Sequence, residues 1–170
     1  MDLKRHIREV QDFPKSGILF RDITTLLKEP MLLKETIDSM VGLLSGVEFD
    51  SILGPESRGF IFGVPLAYIL GKGFVPVRKA GKLPAEVVQK EYGLEYGTDI
   101  IEIHKDAIKP GQRFVIADDL LATGGTAKAV VDLIEEMGGV VVAHVYFIEL
   151  TELKGRESLK GHDVRTLLVY

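Results

Sequence analysis

Cysteine is absent from this chain of 170 residues, which excludes disulfide bonds and thiolate metal sites. No apolar run approaches the roughly 20 residues that a membrane-spanning helix needs. The first residues, Met1 to His6, are too polar for a secretory signal peptide. These absences favour a cytoplasmic protein that does not bind a membrane. The composition, 46% hydrophobic and 27% charged, is that of an ordinary globular protein, and the length predicts a single domain over residues 1–170.

Acidic residues are missing from one long stretch of the chain. No Asp or Glu lies between Ser57 and Ala85, whereas Arg58, Lys72, Arg78, Lys79 and Lys82 all lie there. The stretch therefore carries +5, and because the whole chain has a net charge of −4, the other residues carry −9. The overall negative charge argues against a general nucleic-acid binder. The local positive charge suits a small anionic substrate, although a solvated basic surface would explain it equally well.

The distribution of apolar residues predicts an α/β fold. Strands are expected at 51–53, 73–77, 113–117, 140–148 and 164–169, and helices at about 31–44, at 60–70 and after residue 124. Strands that alternate with helices favour a mostly parallel sheet. Asp2 is expected to cap a further helix that carries Leu3, Ile7 and Val10 at helical spacing. Residues 87–103 have β-type content around a glycine, which predicts an extended hairpin or flap.

The segment from Phe114 to Thr126 contains most of the chemical information. Four apolar residues predict a buried strand, two acids stand where that strand should end, and Thr-Gly-Gly-Thr opens a helix. Neither the dinucleotide-binding fingerprint nor the P-loop is present. Glycines let the backbone approach a ligand closely, and the free N–H groups of a first helical turn favour an anion. We therefore expect the backbone of Ala122, Thr123, Gly124, Gly125 and Thr126 to bind a phosphate, with the two threonine hydroxyls as further donors.

Asp118 and Asp119 are unsuited to a phosphate because like charges repel. Their natural partners are sugar hydroxyls and, directly or through water, a Mg²⁺ complex. Adjacent residues of an extended strand point to opposite faces, so the two acids need not have the same role. An acidic pair beside a phosphate-binding segment predicts a site for a phosphorylated sugar.

This combination of strand, acidic pair and helix start resembles the type I phosphoribosyltransferases. From about Asp12 to Val145 the chain is most similar to the adenine-specific branch of that family. Four further motifs in the same order carry the resemblance: Phe13-Pro14 with Gly17 to Ile23, Glu56-Ser57-Arg58-Gly59-Phe60, Val77 to Pro84, and Leu94-Glu95-Tyr96-Gly97. The resemblance implies a mostly parallel five-stranded sheet flanked by helices, an N-terminal helix and hood at about 1–30, and a flexible flap at about 79–104.

The resemblance also implies the reaction. Phosphoribosyl pyrophosphate and adenine would give AMP and pyrophosphate with Mg²⁺, as in purine salvage, and the enzyme would be a homodimer. Expected catalytic residues are Arg58, Arg78 and Glu95, with Glu95 as an acid or base near the purine. Expected binding residues for the diphosphate are Glu56 and Ser57, with a cis peptide between them. Lys79 and Lys82 would bind it too, because residues of their loop reach the pyrophosphate of the neighbouring subunit in the family. The acidic pair would bind the ribose hydroxyls. Leu19, Phe20 and Arg21 would recognise the base, and Tyr96 would bind substrate from the flap.

Alternatives remain open for several of these assignments. Phe20 is also explained as a core anchor, Lys79 as part of a solubilising loop, and Glu95 as a solvated residue of a flap. The base could be a 6-oxopurine such as xanthine or hypoxanthine, or the chain could be a regulator that senses phosphoribosyl pyrophosphate. The four histidines are scattered and show no spacing typical of metal ligands.

Overall fold

The computed structural model describes residues 2–94 and 97–170, so the predicted site residues Glu95 and Tyr96 lie outside the described residues. The chain divides into two compact units, one up to Ser39 and one from Met40 to Tyr170. No helix in the described part of the chain is both long enough and apolar enough to cross a membrane.

The first unit contains a small antiparallel sheet. A 3-10 turn at Leu3–His6 leads into β1 (Arg8–Gln11), which pairs with β2 (Leu19–Asp22). The helix α1 (Thr24–Leu27) follows, and α2 (Pro30–Leu43) begins in this unit. The predicted N-terminal helix is therefore wrong. The Asp2 side chain makes no capping hydrogen bond, and Val10 instead pairs with Phe20 across the two strands, so tertiary pairing overrides the helical spacing.

The second unit is built on a seven-stranded sheet with the order β5-β6-β4-β3-β7-β8-β9. Its strands are β3 (Ser51–Pro55), β4 (Gly73–Lys79), β5 (Val87–Leu94), β6 (Gly97–His104), β7 (Arg113–Leu121), β8 (Val140–Glu149) and β9 (Val164–Val169). Its helices after α2 are α3 (Arg58–Leu70), α4 (Gly125–Glu136) and the short α5 (Gly155–Ser158).

The predicted count of five strands is wrong, although the mostly parallel α/β architecture is confirmed. The five strands β4, β3, β7, β8 and β9 are parallel to one another. The predicted flap adds the other two, because β6 pairs antiparallel with β4 and with β5. Sequence pattern predicts the hairpin, and the structure attaches it to the sheet edge by pairing Arg78 with Glu102 and Lys79 with Ile101.

The order of the strands places a crevice between β3 and β7. From β3 the chain crosses to β4 on one side, whereas β7 lies on the other side and is followed by β8. In open α/β sheets, ligands bind at the carboxyl ends of the strands at such a switch point. The helix α4 packs its predicted apolar stripe into the core, with Ala127, Val130, Val131 and Ile134 all buried. This packing fixes the helix whose N-terminus faces the crevice.

Candidate active site

A cavity of about 210 Å³ lies at the carboxyl ends of β3 and β7. Pro55, the last residue of β3, and residues 56–58 after it form one side. Residues 118–127 form the other side, and Tyr146 of β8 completes the lining. The fold thus brings together two segments that are about sixty residues apart in the sequence. Most of the predicted site residues line this one cavity: Glu56, Ser57, Arg58, Asp118, Asp119, Ala122, Thr123, Gly124, Gly125 and Thr126.

The phosphate cradle, which we define as residues 122–126, forms the turn from β7 into α4. Gly124 precedes the helix in the left-handed conformation, with φ of +82°, and a side chain is strained there. A Cβ atom at Gly124 would also lie 2.6 Å from the Gly155 carbonyl oxygen. At Gly125 a Cβ atom would meet only the Thr123 hydroxyl, at 3.9 Å. The first N–H groups of α4 therefore border open space, where an anion can approach them.

Residues 155–158 support the cradle from behind. A Cβ atom at Gly155 would clash with the Ala122 carbonyl oxygen, so only glycine allows this contact. The Ser158 hydroxyl donates a hydrogen bond to the Thr123 carbonyl at 2.8 Å. The backbone N–H of Leu150 donates to the Leu121 carbonyl at 3.0 Å, where β7 ends. The cradle is thus held by residues that lie outside all the motifs of the family resemblance.

The sequence pattern predicts the acidic pair at the end of a strand. The pair instead lies within β7, because the strand continues to Leu121. Asp119 is buried, and the Asp118 side chain accepts a hydrogen bond from the Asp119 backbone at 2.8 Å. Burial and the neighbouring Asp119 charge raise the pKa of Asp118 well above its ordinary value. Burial also raises the pKa of Asp119, and the Arg58 guanidinium opposes that rise. Buried carboxylates with raised pKa values are typical of functional sites, where a bound cation or hydroxyl donor would stabilise their ionised form.

The turn after β3 has the cis peptide between Glu56 and Ser57 that the resemblance implied. Contacts with β4 on one side and with β7 on the other hold this turn in place. The Glu56 N–H donates to the Val77 carbonyl at 2.8 Å, and the Glu56 carboxylate accepts a hydrogen bond from the Lys79 N–H at 2.6 Å. On the other side, the Arg58 Nε atom lies 2.9 Å from an Asp119 carboxylate oxygen. Arg58 is therefore held at the cavity by Asp119, while its side chain remains 42% exposed.

The basic loop, which we define as residues 78–83, continues from β4 beside this turn. The Arg78 Nε atom lies 3.4 Å from a Glu56 carboxylate oxygen, and Lys79 forms an ion pair with Asp99 at 3.3 Å. Among the described residues, Arg78, Lys79 and Lys82 do not belong to the cavity lining. The structure therefore connects the basic loop to the candidate diphosphate turn through Glu56 without placing its cations in the cavity.

The predicted hood residues belong to the first unit, on β2. Leu19 is exposed, Phe20 is half-buried, and Arg21 forms an ion pair with Glu9. The Phe20 ring packs edge-on against Phe13, with ring centroids 5.1 Å apart. This contact shows that Phe20 has a structural partner within its own unit.

No group of three or more His, Cys, Asp or Glu side chains that could hold a metal ion occurs in residues 2–94 and 97–170. His144 is buried in β8, and its Nδ1 atom lies 3.1 Å from the Tyr146 hydroxyl. Burial, followed by the charge of His162, lowers the pKa of His144 to about 4. His144 is therefore neutral at pH 7, as expected for a structural histidine.

A comparison with protein families decides the classification. The model of the phosphoribosyl transferase domain matches residues 23–168, a range that includes both sides of the cavity. The chain belongs to the phosphoribosyltransferase family.

Known phosphoribosyltransferases resemble this chain over its whole length. An adenine phosphoribosyltransferase of Acetivibrio thermocellus is 62% identical over 171 residues, with 100% of both chains covered. The crystal structure of adenine phosphoribosyltransferase from Thermoanaerobacter pseudethanolicus superimposes with a TM-score of 0.97 at 54% identity, over 99% of this chain and 98% of that one. The enzyme of Saccharomyces cerevisiae, crystallised with an imino-altritol bisphosphate and adenine, gives a TM-score of 0.89 at 42% identity, over 96% and 94% of the two chains.

Three supports of this phosphoribosyltransferase site were missed by the sequence analysis. They are Tyr146, which lines the cavity and pairs with Asp118 across β7 and β8, the 155–158 segment behind the cradle, and the buried Glu102 beside the basic loop. Tyr146 and Glu102 lie in strands, and their partners come from other strands or loops. For Glu102 the sequence offers one signal, an acidic residue within a β-type pattern. That signal does not indicate a role until the strand pairing is known.

Proposed function

We propose that the chain transfers the 5-phosphoribosyl group of phosphoribosyl pyrophosphate to adenine, giving AMP and pyrophosphate in purine salvage. The observation that carries the proposal is the shared cavity, in which an anion-binding helix start, an acidic pair and a diphosphate-type turn with Arg58 meet. These three parts correspond to the phosphate, the hydroxyls and the leaving group of one substrate. The identity to adenine phosphoribosyltransferases supports adenine as the acceptor.

The 5-phosphate belongs in the cradle in this proposal. Backbone N–H groups from Ala122 to Thr126 would donate to its oxygens, with the Thr123 and Thr126 hydroxyls as further donors. The positive end of α4, a helix of 12 residues, adds a favourable field. The space left by Gly125 supports this assignment.

The ribose hydroxyls would donate to Asp118 and Asp119. Each hydroxyl is a donor that an ionised carboxylate can accept, and such charge-assisted bonds stabilise the ionised form of a buried acid. Binding of the sugar would therefore lower the raised pKa values of the pair. The sugar would be oriented with its anomeric carbon towards the 56–58 turn.

The diphosphate would bind at the turn formed by Glu56, Ser57 and Arg58. Arg58 can pair with it bidentately, and Arg78, Lys79 and Lys82 would add positive charge from the basic loop. During transfer, the bond from the anomeric carbon to the diphosphate oxygen breaks and its electron pair leaves with pyrophosphate. The new bond forms to a purine ring nitrogen, which loses its proton. Cations at the leaving group stabilise the charge that develops there.

Magnesium fits the acidic pair as a substrate-borne ion. Mg²⁺ is commonly held by one or two carboxylates together with substrate phosphates and water, and Asp118 and Asp119 supply such a pair beside the turn. We propose that they would contact the ion directly or through water. When bound, the ion would neutralise part of the charge on the diphosphate.

The base would be recognised by the hood residues Leu19, Phe20 and Arg21. An aromatic ring can stack on a purine, and backbone N–H and C=O groups beside it can pair with the edge of the base. Adenine presents an amino donor where 6-oxopurines present an acceptor, so the same backbone groups cannot serve both. In the flap, Glu95 would handle the ring-nitrogen proton, and Tyr96 would bind substrate.

We further propose a homodimer in the cytoplasm, with the whole chain acting as one catalytic domain. The helix α3, which begins at Arg58, supports a dimer because it exposes an apolar face with Ile61 at 38%, Val64 at 47% and Tyr68 at 86% exposure. These positions lie on one side of the helix. The absence of cysteine agrees with a reducing compartment.

The test is turnover of adenine compared with hypoxanthine, guanine and xanthine, each with phosphoribosyl pyrophosphate and Mg²⁺. We expect adenine to be used with a kcat/KM at least about 100-fold above that of the others, since mismatched polar edges leave buried groups unpaired. Transfer to a 6-oxopurine without adenine turnover would overturn the choice of base. Tight binding of phosphoribosyl pyrophosphate without transfer to any base would indicate a sensor.

A further inference from the structure

Glu102 is a buried carboxylate outside the cavity. It lies on β6, and its residue is only 1% exposed. In the sheet it stands between Arg78 of β4 on one side and Gln89 of β5 on the other. A buried charge is costly unless it is paired or fully hydrogen-bonded, so its partners indicate what it does.

The partners of Glu102 are concentrated in the basic loop. One carboxylate oxygen accepts hydrogen bonds from the backbone N–H groups of Lys82, at 3.1 Å, and Leu83, at 3.0 Å. The other accepts from the Gln89 side-chain amide at 3.0 Å. Burial alone would raise the pKa of Glu102, but these hydrogen bonds outweigh it and lower the pKa. The carboxylate is therefore ionised at pH 7 and fixes the conformation of two consecutive loop residues.

Further contacts fix the same loop to β6, to itself and to the cavity. The Ala80 N–H donates to the Ile100 carbonyl at 3.2 Å, and an Arg78 guanidinium nitrogen lies 3.4 Å from the Lys82 carbonyl, so the loop closes on itself. At its start, the Lys79 N–H donates to Glu56, which lines the cavity. The loop is thus anchored at Glu56 at one end and at Glu102 at the other.

We propose that Glu102 is a positioning residue for diphosphate binding, which holds the basic loop so that its cations act together on the leaving group. This inference rests on the proposed function, because that function assigns the diphosphate to Arg58 and the basic loop. An ordered loop binds an anion without the entropy cost of fixing it on binding. Glu102 does not touch substrate in this scheme, and its effect passes through the backbone of Lys82 and Leu83.

The experiment compares Glu102→Leu, Glu102→Gln and Gln89→Ala with the unaltered enzyme. Leucine removes both acceptors, whereas glutamine keeps a neutral carbonyl for the loop. We expect the KM for phosphoribosyl pyrophosphate to rise about 10-fold or more for leucine, and about three- to fivefold for glutamine, since charge-assisted bonds are roughly twice as strong as neutral ones. Gln89→Ala should raise the KM for phosphoribosyl pyrophosphate only about twofold, because Glu102 still accepts the hydrogen bonds from Lys82 and Leu83.

Other parameters separate positioning from a general loss of structure. The KM for adenine and the Kd for AMP, which carries no diphosphate, should stay within about twofold in all three variants, and kcat at saturating substrate should change little. The matched control is Glu86→Gln, which removes an exposed carboxylate from the same hairpin region and should change none of these values. An unchanged KM for phosphoribosyl pyrophosphate in Glu102→Gln overturns the proposal, even where Glu102→Leu does not fold.

Calorimetric binding of pyrophosphate with Mg²⁺ tests the inference separately from the proposed function. If the unaltered protein transfers to no base, the function is wrong, and the inference is still decided by this titration. A three- to fivefold weaker Kd for pyrophosphate in Glu102→Gln, with an unchanged Kd for AMP, supports it. Equal weakening of both ligands contradicts it and assigns Glu102 a structural role only.

Discussion

The Ser158 hydroxyl donates a hydrogen bond to the Thr123 carbonyl at 2.8 Å, and so joins α5 to the phosphate cradle. Thr123 directly precedes Gly124, whose left-handed conformation turns the chain into α4. Orientation of the N–H groups that would meet the phosphate therefore depends on a residue more than thirty positions further along the chain.

Ser158→Ala should loosen the cradle without removing any group that touches substrate. The loss of one hydrogen bond should cost about 1 kcal/mol of unfolding free energy and should weaken AMP binding about threefold. Binding of pyrophosphate should be unaffected, because it does not use the cradle. Calorimetric titrations and thermal unfolding measure these effects, with the exposed Ser45→Ala as control. An unchanged Kd for AMP would show that the cradle is rigid without Ser158.

Replacement of the two cradle glycines by alanine should have different effects on stability, because only Gly124 lacks room for a side chain. Gly124→Ala should destabilise the protein by about 2–4 kcal/mol, because alanine is strained at a φ of +82° and its Cβ would lie 2.6 Å from the Gly155 carbonyl oxygen. Gly125→Ala should unfold within about 2 °C of the unaltered protein, since its Cβ meets only Thr123 at 3.9 Å. Thermal unfolding of the pair decides this, and equal melting temperatures would contradict the geometry.

Asp118→Asn should stabilise the protein at neutral pH and reduce its activity. The pKa of Asp118 is raised in the folded state by burial and by Asp119. Between the ordinary and the raised pKa, the folded protein keeps a proton that the unfolded chain has released, so stability falls as pH rises through this window. Asparagine removes that dependence. The melting temperature of the variant should exceed that of the unaltered protein by a few degrees at pH 7 and should match it near pH 3–4.

The activity of Asp118→Asn should fall at least about 10-fold in kcat/KM for phosphoribosyl pyrophosphate, since an amide offers one acceptor oxygen to the sugar and no charge to the ion. Asp132→Asn, on the partly exposed side of α4, is the control and should leave the activity unchanged. A variant that is less stable at every pH would show that Asp118 is ionised and well solvated in the folded protein.

Arg78→Ala should reduce turnover and weaken diphosphate binding about 10-fold or more, with a change in melting temperature of no more than a few degrees. Its guanidinium lies near Glu56 and reaches the Lys82 carbonyl, so its removal withdraws positive charge and one link in the basic loop. Steady-state kinetics with thermal unfolding measure both effects. Arg113→Ala is the control, because that arginine pairs with Asp50 at the opposite end of the sheet. Full activity in Arg78→Ala would remove Arg78 from the site.

Sequence alone determined the parts of the site that are contiguous in the chain. The run from Phe114 to Thr126 contains strand, acids, glycines and helix start in one segment, so its chemistry follows from residue types and spacing. The parallel α/β architecture follows in the same way from alternating apolar patterns. Where long-range pairing competes with local pattern, the sequence was a poorer guide, as the N-terminal 3-10 turn and the strand count show.

Only the tertiary structure decided which separate segments meet. It placed the 56–58 turn against the acidic pair through Arg58, extended β7 past both acids, and set residues 155–158 behind the cradle. It also gave Glu102 its partners by attaching the hairpin to the sheet edge. The physical reason is that strand pairing and burial act between residues far apart in the chain, so their outcome is not contained in any local pattern.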